Sequence, residues 1–212
     1  MRILVTAGPT REAIDPVRFI SNRSTGKMGY AVAGVCAGRG HEVVLVSGPV
    51  CIKPPRGISV VNVETSAEML HAVKKNIPWC DALVMVAAVA DFRPRKISRQ
   101  KIKKRNMQYL LPLEKTTDIL TAVRPMKKKR IIVGFAAETK NLIQEAGRKL
   151  DEKGLDLIVA NDVTRKDSGF GSDTNKVVFI SNNGVCLNLP LMKKTQLAGR
   201  ILDWIEAKSK SE

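Results

Sequence analysis

Short apolar runs rich in β-branched residues alternate along the chain with stretches of helical character, and this alternation limits the possible folds most. The runs typical of buried strands are residues 3–5, 42–46, 60–63, 82–86, 131–133 and 157–159. Several are apolar throughout, as a strand must be when helices cover both faces of its sheet. The pattern predicts an α/β fold with a doubly wound, Rossmann-like, mostly parallel sheet.

Helices and turns are predicted from local signals. Helices are expected at residues 29–38, 141–153 and 195–208, and a further one begins at the capping box Thr65-x-x-Glu68. Gly40 and Gly154 stand where helices would end, because glycine adopts the left-handed conformation of a C-cap. Residues 176–189 are predicted to form a C-terminal hairpin, since Asn183-Gly184 favours a type I′ turn. No linker divides the chain, so residues 1–212 are interpreted as a single domain.

The chain is strongly basic, with 36 Lys and Arg against 20 Asp and Glu and a formal net charge of +16. This excess predicts an anionic partner. Many of the cations fall in one loop at about residues 91–108, which is expected to move or to become ordered on binding. They are Arg93, Arg95, Lys96, Arg99, Lys101, Lys103, Lys104 and Arg105.

Two interpretations of this basic loop remain open. It could be a solvated face or a non-specific polyanion-binding surface, such as one for nucleic acid, or it could gather small phosphorylated molecules. Aromatic residues are only 4% of the chain, and single-strand binders depend on aromatic stacking. The composition therefore gives the nucleic-acid interpretation little support without excluding it.

Other classes of protein are disfavoured by composition. No apolar run approaches the ~20 residues that a membrane helix requires, and the N-terminus does not resemble a signal peptide. The cysteines Cys36, Cys51, Cys80 and Cys186 are scattered, which is typical of reduced thiols in the cytoplasm. His41 and His71 are isolated, so no metal centre is predicted from histidine and cysteine.

The predicted sheet also indicates where a ligand would bind. Ligands of open parallel sheets lie beyond the carboxyl ends of the strands. Small residues follow three predicted strands there, at residues 6–10, 87–91 and 134–138. The segment 24–29 precedes a helix whose first N–H groups would face an anion. Together these segments predict a phosphate-binding site at one edge of the sheet.

Two familiar nucleotide motifs do not fit. Gly26-Lys27 is not a P-loop, because Ser21 stands where the motif needs glycine and Met28 where Ser or Thr would hold magnesium. A dinucleotide fingerprint needs an acidic residue at the end of the second strand, where this chain has Ser47-Gly48-Pro49. An NAD(P)-dependent reductase is therefore only a weaker alternative.

An ordered set of segments spanning nearly the whole chain resembles bacterial phosphopantothenoylcysteine synthetase. The segments are residues 3–12, 14–22, 24–29, 46–49, 87–91, 101–104, 133–139, 155–162 and 169–175. The resemblance implies a cytoplasmic ligase of coenzyme A biosynthesis that joins 4′-phosphopantothenate to L-cysteine. CTP would activate the carboxylate through an acyl-cytidylate, releasing pyrophosphate and then CMP. The resemblance also implies Mg²⁺ on the nucleotide phosphates, a homodimer, and a phosphopantothenoylcysteine decarboxylase that is either a separate polypeptide or a fused neighbour.

The resemblance assigns roles to individual residues, each taken from a matching motif. The catalytic residues would be Asn22 and Lys101, and no protein ligand for the metal is named. Nucleotide-binding residues would be Met85, Val86, Ala87, Asp91, Lys101, Thr117, Asp118, Ile119, Leu120, Phe135, Lys149 and Lys153. Substrate-binding residues would be Arg18, Asn22, Ala87 and Ala88, with Arg18 reaching across a dimer interface.

One motif departs from the family pattern. Thr116-Thr117-Asp118-Ile119 replaces the usual Asn-Pro-Asp-Ile of the nucleotide loop. Thr117 is expected to cap the following helix, since threonine is a good N-cap residue. Bacterial sequence character favours CTP, but without the proline the choice between CTP and ATP stays open.

Overall fold

The computed structural model describes residues 1–103, 110–138, 140–162 and 168–211. The strands are β1 (Arg2–Ala7), β2 (Arg11–Ala13), β3 (Phe19–Ser21), β4 (Glu42–Ser47), β5 (Ser59–Asn62), β6 (Ala82–Met85), β7 (Phe92–Pro94), β8 (Leu113–Lys115), β9 (Ile131–Glu138), β10 (Leu157–Asp162), β11 (Thr174–Asn175), β12 (Val177–Ser181), β13 (Cys186–Asn188) and β14 (Met192–Lys193). The helices are α1 (Lys27–Gly38), α2 (Ser66–Asn76), α3 (Ile119–Val123), α4 (Leu142–Lys153) and α5 (Lys194–Lys210). None of the helices in the described part of the chain is long and apolar enough to span a membrane.

The central sheet has eight strands in the order β13-β12-β10-β9-β6-β1-β4-β5. The strands from β10 to β5 pair in parallel, whereas β12 and β13 add an antiparallel hairpin at one edge. Counted along the chain, the parallel strands follow the doubly wound order 3-2-1-4-5-6. The predicted Rossmann-like sheet with a C-terminal hairpin is therefore confirmed.

Hydrophobic cores cover both faces of this sheet. Successive residues of β1 point to opposite faces, so Ile3 and Val5 pack with α1 and α5 while Leu4 packs with α2, α3 and α4. All of these β1 side chains are fully buried. Burying each one stabilises the fold by about 1.5–3 kcal/mol. The continuous apolar runs of the sequence thus reflect a sheet that is covered by helices on both faces.

The turn of the C-terminal hairpin differs from the expected type I′. That turn needs positive φ at both central residues, yet of the pair Asn183-Gly184 only Gly184 is left-handed, at φ 83°. The Gly184 N–H donates to the Ser181 carbonyl at 3.0 Å. The Asn183 side chain accepts a hydrogen bond from the Ser181 hydroxyl at 2.5 Å. The prediction of a type I′ turn is therefore wrong, and this turn is closed by local bonds between Ser181 and the two central residues.

The basic loop is less irregular than its composition indicates. Strand β7 pairs antiparallel with β8, so the prediction of irregular structure is wrong for residues 92–94. The Arg95 N–H extends the pairing by donating to the Pro112 carbonyl at 3.0 Å. Residues 104–108 of the loop lie outside the described part, and the predicted movement on binding stays a prediction.

Candidate active site

A cavity opens at the carboxyl ends of β1, β6 and β9, where the order of the parallel strands reverses. This is the position at which doubly wound sheets bind ligands. Most residues that the resemblance assigned to nucleotide or substrate line it. They are Asn22, Met85, Val86, Ala87, Ala88, Asp91, Thr117, Asp118, Ile119, Leu120, Phe135, Lys149 and Lys153. One expectation needs correction, because residues 134–138 do not follow the fifth strand but continue it as the end of β9.

Two buried threonines fix the loop after β6. The Thr6 hydroxyl accepts hydrogen bonds from the Val86 and Ala87 N–H groups, both at 3.1 Å. The Thr10 hydroxyl accepts one from the Ala90 N–H at 2.9 Å. Buried N–H groups need such partners, so these hydroxyls hold the loop in one conformation along the cavity.

Asn22 connects the end of β3 to the same loop. Its Nδ2 donates to the carbonyl oxygens of Ala88 and Val89, both at 3.0 Å. The side chain is exposed and lines the cavity. Asn22 therefore stands beside the small residues that were predicted to admit substrate.

The first turn of α1 forms another wall of the cavity. Gly26 is its N-cap with φ 79°, and no side chain caps the helix. Gly29 packs so closely on β1 that a Cβ there would lie 2.6 Å from the Ala7 Cβ. Free N–H groups and the positive end of a helix dipole favour an anion, and this turn lines the cavity. The segment 24–29 thus meets the geometric requirement for the predicted phosphate site.

The lysines of α4 face carboxylates at the cavity edge. Lys153 Nζ donates to Asp118 Oδ2 at 2.7 Å, and Lys149 Nζ donates to Glu138 Oε1 at 2.5 Å. Burial raises the pKa of Asp118, but the hydrogen bonds from Lys153 and from the backbone N–H of Thr121 outweigh it and lower the pKa overall. Both predicted nucleotide lysines therefore have a carboxylate partner at the cavity edge, and their role in nucleotide binding stays a prediction.

The cap of α3 differs from the expectation for Thr117. Asp118 is the N-cap residue, and its Oδ1 accepts from the Thr121 N–H at 2.8 Å. The carboxylate precedes the helix directly and is a stronger acceptor than the hydroxyl one residue earlier. The prediction that Thr117 caps the helix is therefore wrong, although Thr117 lines the cavity.

Arg18 and Lys101 are not in this cavity. The guanidinium of Arg18 binds the buried Asp15 carboxylate and also donates to the Ile102 carbonyl at 3.1 Å. That pairing with Arg18 is the main reason that the pKa of Asp15 is well below its usual value. Lys101 is exposed and is adjacent in sequence to Ile102. Arg18 thus contacts the residue that follows Lys101, and the predicted roles of Arg18 and Lys101 stay predictions.

Sequence reasoning gave no role to several residues that line the cavity. They are Asn161, Gly169, Phe170, Asn175 and Lys194. The signal that could have found Asn161 is its position two residues after the apolar run 157–159, at the same edge of the sheet. Asn161 Nδ2 donates to the Ser168 carbonyl at 3.0 Å, while its buried Oδ1 accepts no hydrogen bond from the described residues. An acceptor left in this state at a cavity wall fits a ligand that carries an N–H or O–H group.

The described residues include no cluster of three or more His, Cys, Asp or Glu side chains suited to a metal ion. Asp91 contributes an exposed carboxylate to the cavity wall. Magnesium in nucleotide sites is commonly held by phosphates together with one or two carboxylates. Asp91 therefore fits a role as one carboxylate ligand of an ion that binds together with a nucleotide. The described residues do not form a metal site made by protein side chains alone.

Comparisons with known proteins agree with this architecture. In Bacillus subtilis (strain 168), the protein named "Coenzyme A biosynthesis bifunctional protein CoaBC" is 46% identical over 209 residues, which are 98% of this chain and 52% of that protein. The chain thus spans about half the length of the curated relatives it matches. The solved "C-terminal Domain of Coenzyme A biosynthesis bifunctional protein CoaBC" is 42% identical with a TM-score of 0.86, over 100% of this chain and 96% of that one.

A second solved structure extends the comparison to a more distant sequence. The "DNA/Pantothenate Metabolism Flavoprotein from Streptococcus pneumoniae" is 26% identical with a TM-score of 0.84, over 98% of this chain and 99% of that one. A family model described as "DNA/pantothenate metabolism flavoprotein C-terminal domain" matches residues 1–208. Sequence and fold agree over nearly the entire length, and the chain belongs to this family.

Proposed function

We propose that the chain is a ligase of coenzyme A biosynthesis that joins 4′-phosphopantothenate to L-cysteine with CTP. One observation carries the proposal. The cavity at the reversal of strand order unites the first turn of α1, which was predicted to bind phosphate, with the loop after β6 and the α4 lysines, which the resemblance assigned to substrate and nucleotide. The relatives named for coenzyme A biosynthesis support the same conclusion.

The proposed reaction has two steps. A carboxylate oxygen of 4′-phosphopantothenate attacks the α-phosphorus of CTP, which breaks the α–β phosphoanhydride bond and releases pyrophosphate. The cysteine amine then attacks the acyl carbon, loses a proton, and displaces CMP as an amide bond forms. A free carboxylate is a poor electrophile, so the nucleotide turns one of its oxygens into a leaving group. The protein contributes mainly position and positive charge.

Each part of the cavity suits one task in this scheme. The N–H groups of the first turn of α1, together with Lys27, can hold the polyphosphate. Ala87 and Ala88 leave room for substrate to approach the backbone beside Asn22. The Oδ1 of Asn161, which accepts no hydrogen bond from the described residues, can accept one from the nucleotide. When bound, Mg²⁺ would neutralise phosphate charge and draw the oxygens into position.

A homodimer is part of the proposal. Val17 and Phe19, on the hairpin of β2 and β3, are 58% and 47% exposed. Exposed apolar side chains beside Arg18 support a second copy covering this hairpin, from which Arg18 would reach the neighbouring site. Sedimentation equilibrium would test the homodimer, because a monomer at micromolar concentration would contradict it.

A decarboxylase is proposed as a further partner. The curated relatives are about twice as long as this chain, which is consistent with such a partner.

The direct test of the function compares four nucleotides. Pyrophosphate release would be measured with CTP, ATP, GTP and UTP, each with and without 4′-phosphopantothenate and cysteine. We expect release only with 4′-phosphopantothenate, a preference for CTP, and CMP formation that requires cysteine. Turnover of any nucleotide without 4′-phosphopantothenate would contradict the proposal.

Asn22→Ala is expected to uncouple the two steps. The substitution removes the carboxamide that holds the Ala88 and Val89 carbonyls, so the acyl-cytidylate should form and then persist. Chromatography of quenched reactions would measure acyl-cytidylate against product. Asn76→Ala is a matched control, because Asn76 Nδ2 also donates to a backbone carbonyl, but at the end of α2. A normal ratio of product to pyrophosphate in Asn22→Ala would remove Asn22 from the catalytic residues.

A further inference from the structure

A buried lysine at the start of α5 takes part in none of the roles described so far. Lys194 is only 6% exposed, yet it lines the cavity. Its Nζ donates to three carbonyl oxygens of one short segment, at 3.2 Å from Gly169, 3.3 Å from Phe170 and 2.5 Å from Ser172. Residues 168–173 are called the strap below. An ammonium group has three N–H donors, so the strap uses all of them.

The surroundings of this ammonium group are electrostatically unfavourable. Burial, and next the nearby Lys27, lower the pKa of Lys194, and Asp173 only partly opposes them. Lys194 also begins α5, where the helix dipole repels a cation. Asp173 forms its ion pair with Lys27 at 2.6 Å, and Lys194 has no carboxylate partner among the described residues. A buried charge without a counter-ion is costly, so its retention in a cavity wall points to an anionic ligand.

Other contacts tie the strap to the phosphate-binding end of the cavity. The Thr25 hydroxyl donates to the Phe170 carbonyl at 2.8 Å, and Lys27 Nζ donates to the Gly171 carbonyl at 3.0 Å. Both residues belong to the segment around the first turn of α1. Beyond the strap, β11 pairs with β14, immediately before α5. The strap therefore joins the start of α1 to the start of α5.

We propose that Lys194 is a positioning residue for the nucleotide: by holding the carbonyls of the strap, it sets Phe170 and Gly169 as a wall of the nucleotide cavity, and the nucleotide polyphosphate balances its charge. This inference rests on the proposed function. Because its N–H groups are occupied, Lys194 acts through the strap and through its charge rather than as a direct ligand. Its contribution belongs to nucleotide binding and not to the chemical steps.

The test separates nucleotide binding from turnover. Lys194→Met keeps the length of the side chain and removes its charge, and we expect the KM for CTP to rise about tenfold, as for loss of one partly desolvated charge. The kcat and the KM for 4′-phosphopantothenate should stay within about twofold. Lys193→Met is the matched control, since Lys193 is the exposed neighbour and loses the same charge. An unchanged KM for CTP in folded Lys194→Met, or an equal rise in Lys193→Met, would overturn the inference.

A second measurement uses the wild-type chain, in case Lys194→Met does not fold. Hydrogen exchange of the strap amides would be followed with and without CTP and Mg²⁺. We expect slower exchange with the nucleotide, and unchanged exchange would overturn the inference. If the wild type neither binds CTP nor releases pyrophosphate, the proposed function itself has failed, and this outcome is seen before any variant is compared.

Discussion

Lys101→Gln is expected to slow the first step, measured as pyrophosphate release, by about 100- to 1,000-fold, the usual effect of losing one group that stabilises charge in a transition state. Attack on the α-phosphorus places new negative charge on the phosphate oxygens. An ammonium group that reaches them only during the reaction lowers the barrier without strengthening ground-state binding. In the structure Lys101 is exposed and adjoins Ile102, whose N–H donates to Asp15 Oδ2 at 3.2 Å. Asp15 thus anchors the backbone from which Lys101 would reach the cavity.

The matched control for this variant is Lys103→Gln. Lys103 lies two residues away in the same loop, and its loss changes the net charge equally. Initial rates of pyrophosphate release at saturating CTP and 4′-phosphopantothenate would be compared with wild type. Near-normal release in Lys101→Gln, or an equal fall in both variants, would show that the loop contributes only general positive charge.

Gly48→Ala is expected to cause the largest loss of stability, about 3 kcal/mol or more, which is the upper range for overpacking. A Cβ at position 48 would lie 1.8 Å from the Pro9 carbonyl oxygen. That oxygen belongs to the backbone and cannot be moved by a change of rotamer. Gly48 also donates its N–H to the Ala7 carbonyl at 2.9 Å, so β4 cannot withdraw without breaking this contact. Urea unfolding followed by circular dichroism would measure the loss.

Gly38→Ala serves as the opposite case. A Cβ at position 38, at the end of α1, would have no atom within 4 Å. Alanine loses less backbone entropy than glycine in a helix, so this variant should be more stable by roughly 0.5 kcal/mol. A free energy of unfolding equal to wild type in Gly48→Ala, or one clearly lower than wild type in Gly38→Ala, would contradict the packing described for these two positions.

The strands and the end of the sheet that binds ligand could be predicted from sequence, because they depend on signals within a few residues. An apolar run such as 82–86 identifies a strand that is covered on both faces, and a parallel sheet brings the carboxyl ends of its strands to one edge. The segment 24–29 could be placed at that edge because its small residues precede a helix. Burial pattern and local turn chemistry were enough for these features.

The features that could not be predicted depend on which of two nearby groups forms a hydrogen bond. Thr117 and Asp118 are both good N-cap residues, and only the direction of the chain into α3 selects Asp118. Asn183 has no positive φ, and its side chain accepts a hydrogen bond from the Ser181 hydroxyl. The sequence does not distinguish Lys194 from an exposed surface lysine. In the structure its side chain is buried against the strap. The burial of Lys194 depends on tertiary contacts, which propensity and periodicity do not describe.

The packing of α5 against α1 has a consequence for how the protein is made. The two helices share one hydrophobic core, although they stand at opposite ends of the chain. The cavity wall likewise extends from Gly8 to Lys194. During synthesis the cavity therefore stays incomplete until the residues of α5 have left the ribosome. A prematurely terminated product that lacks α5 would expose the apolar side chains of α1 that pack against α5, and its cavity would lack Lys194.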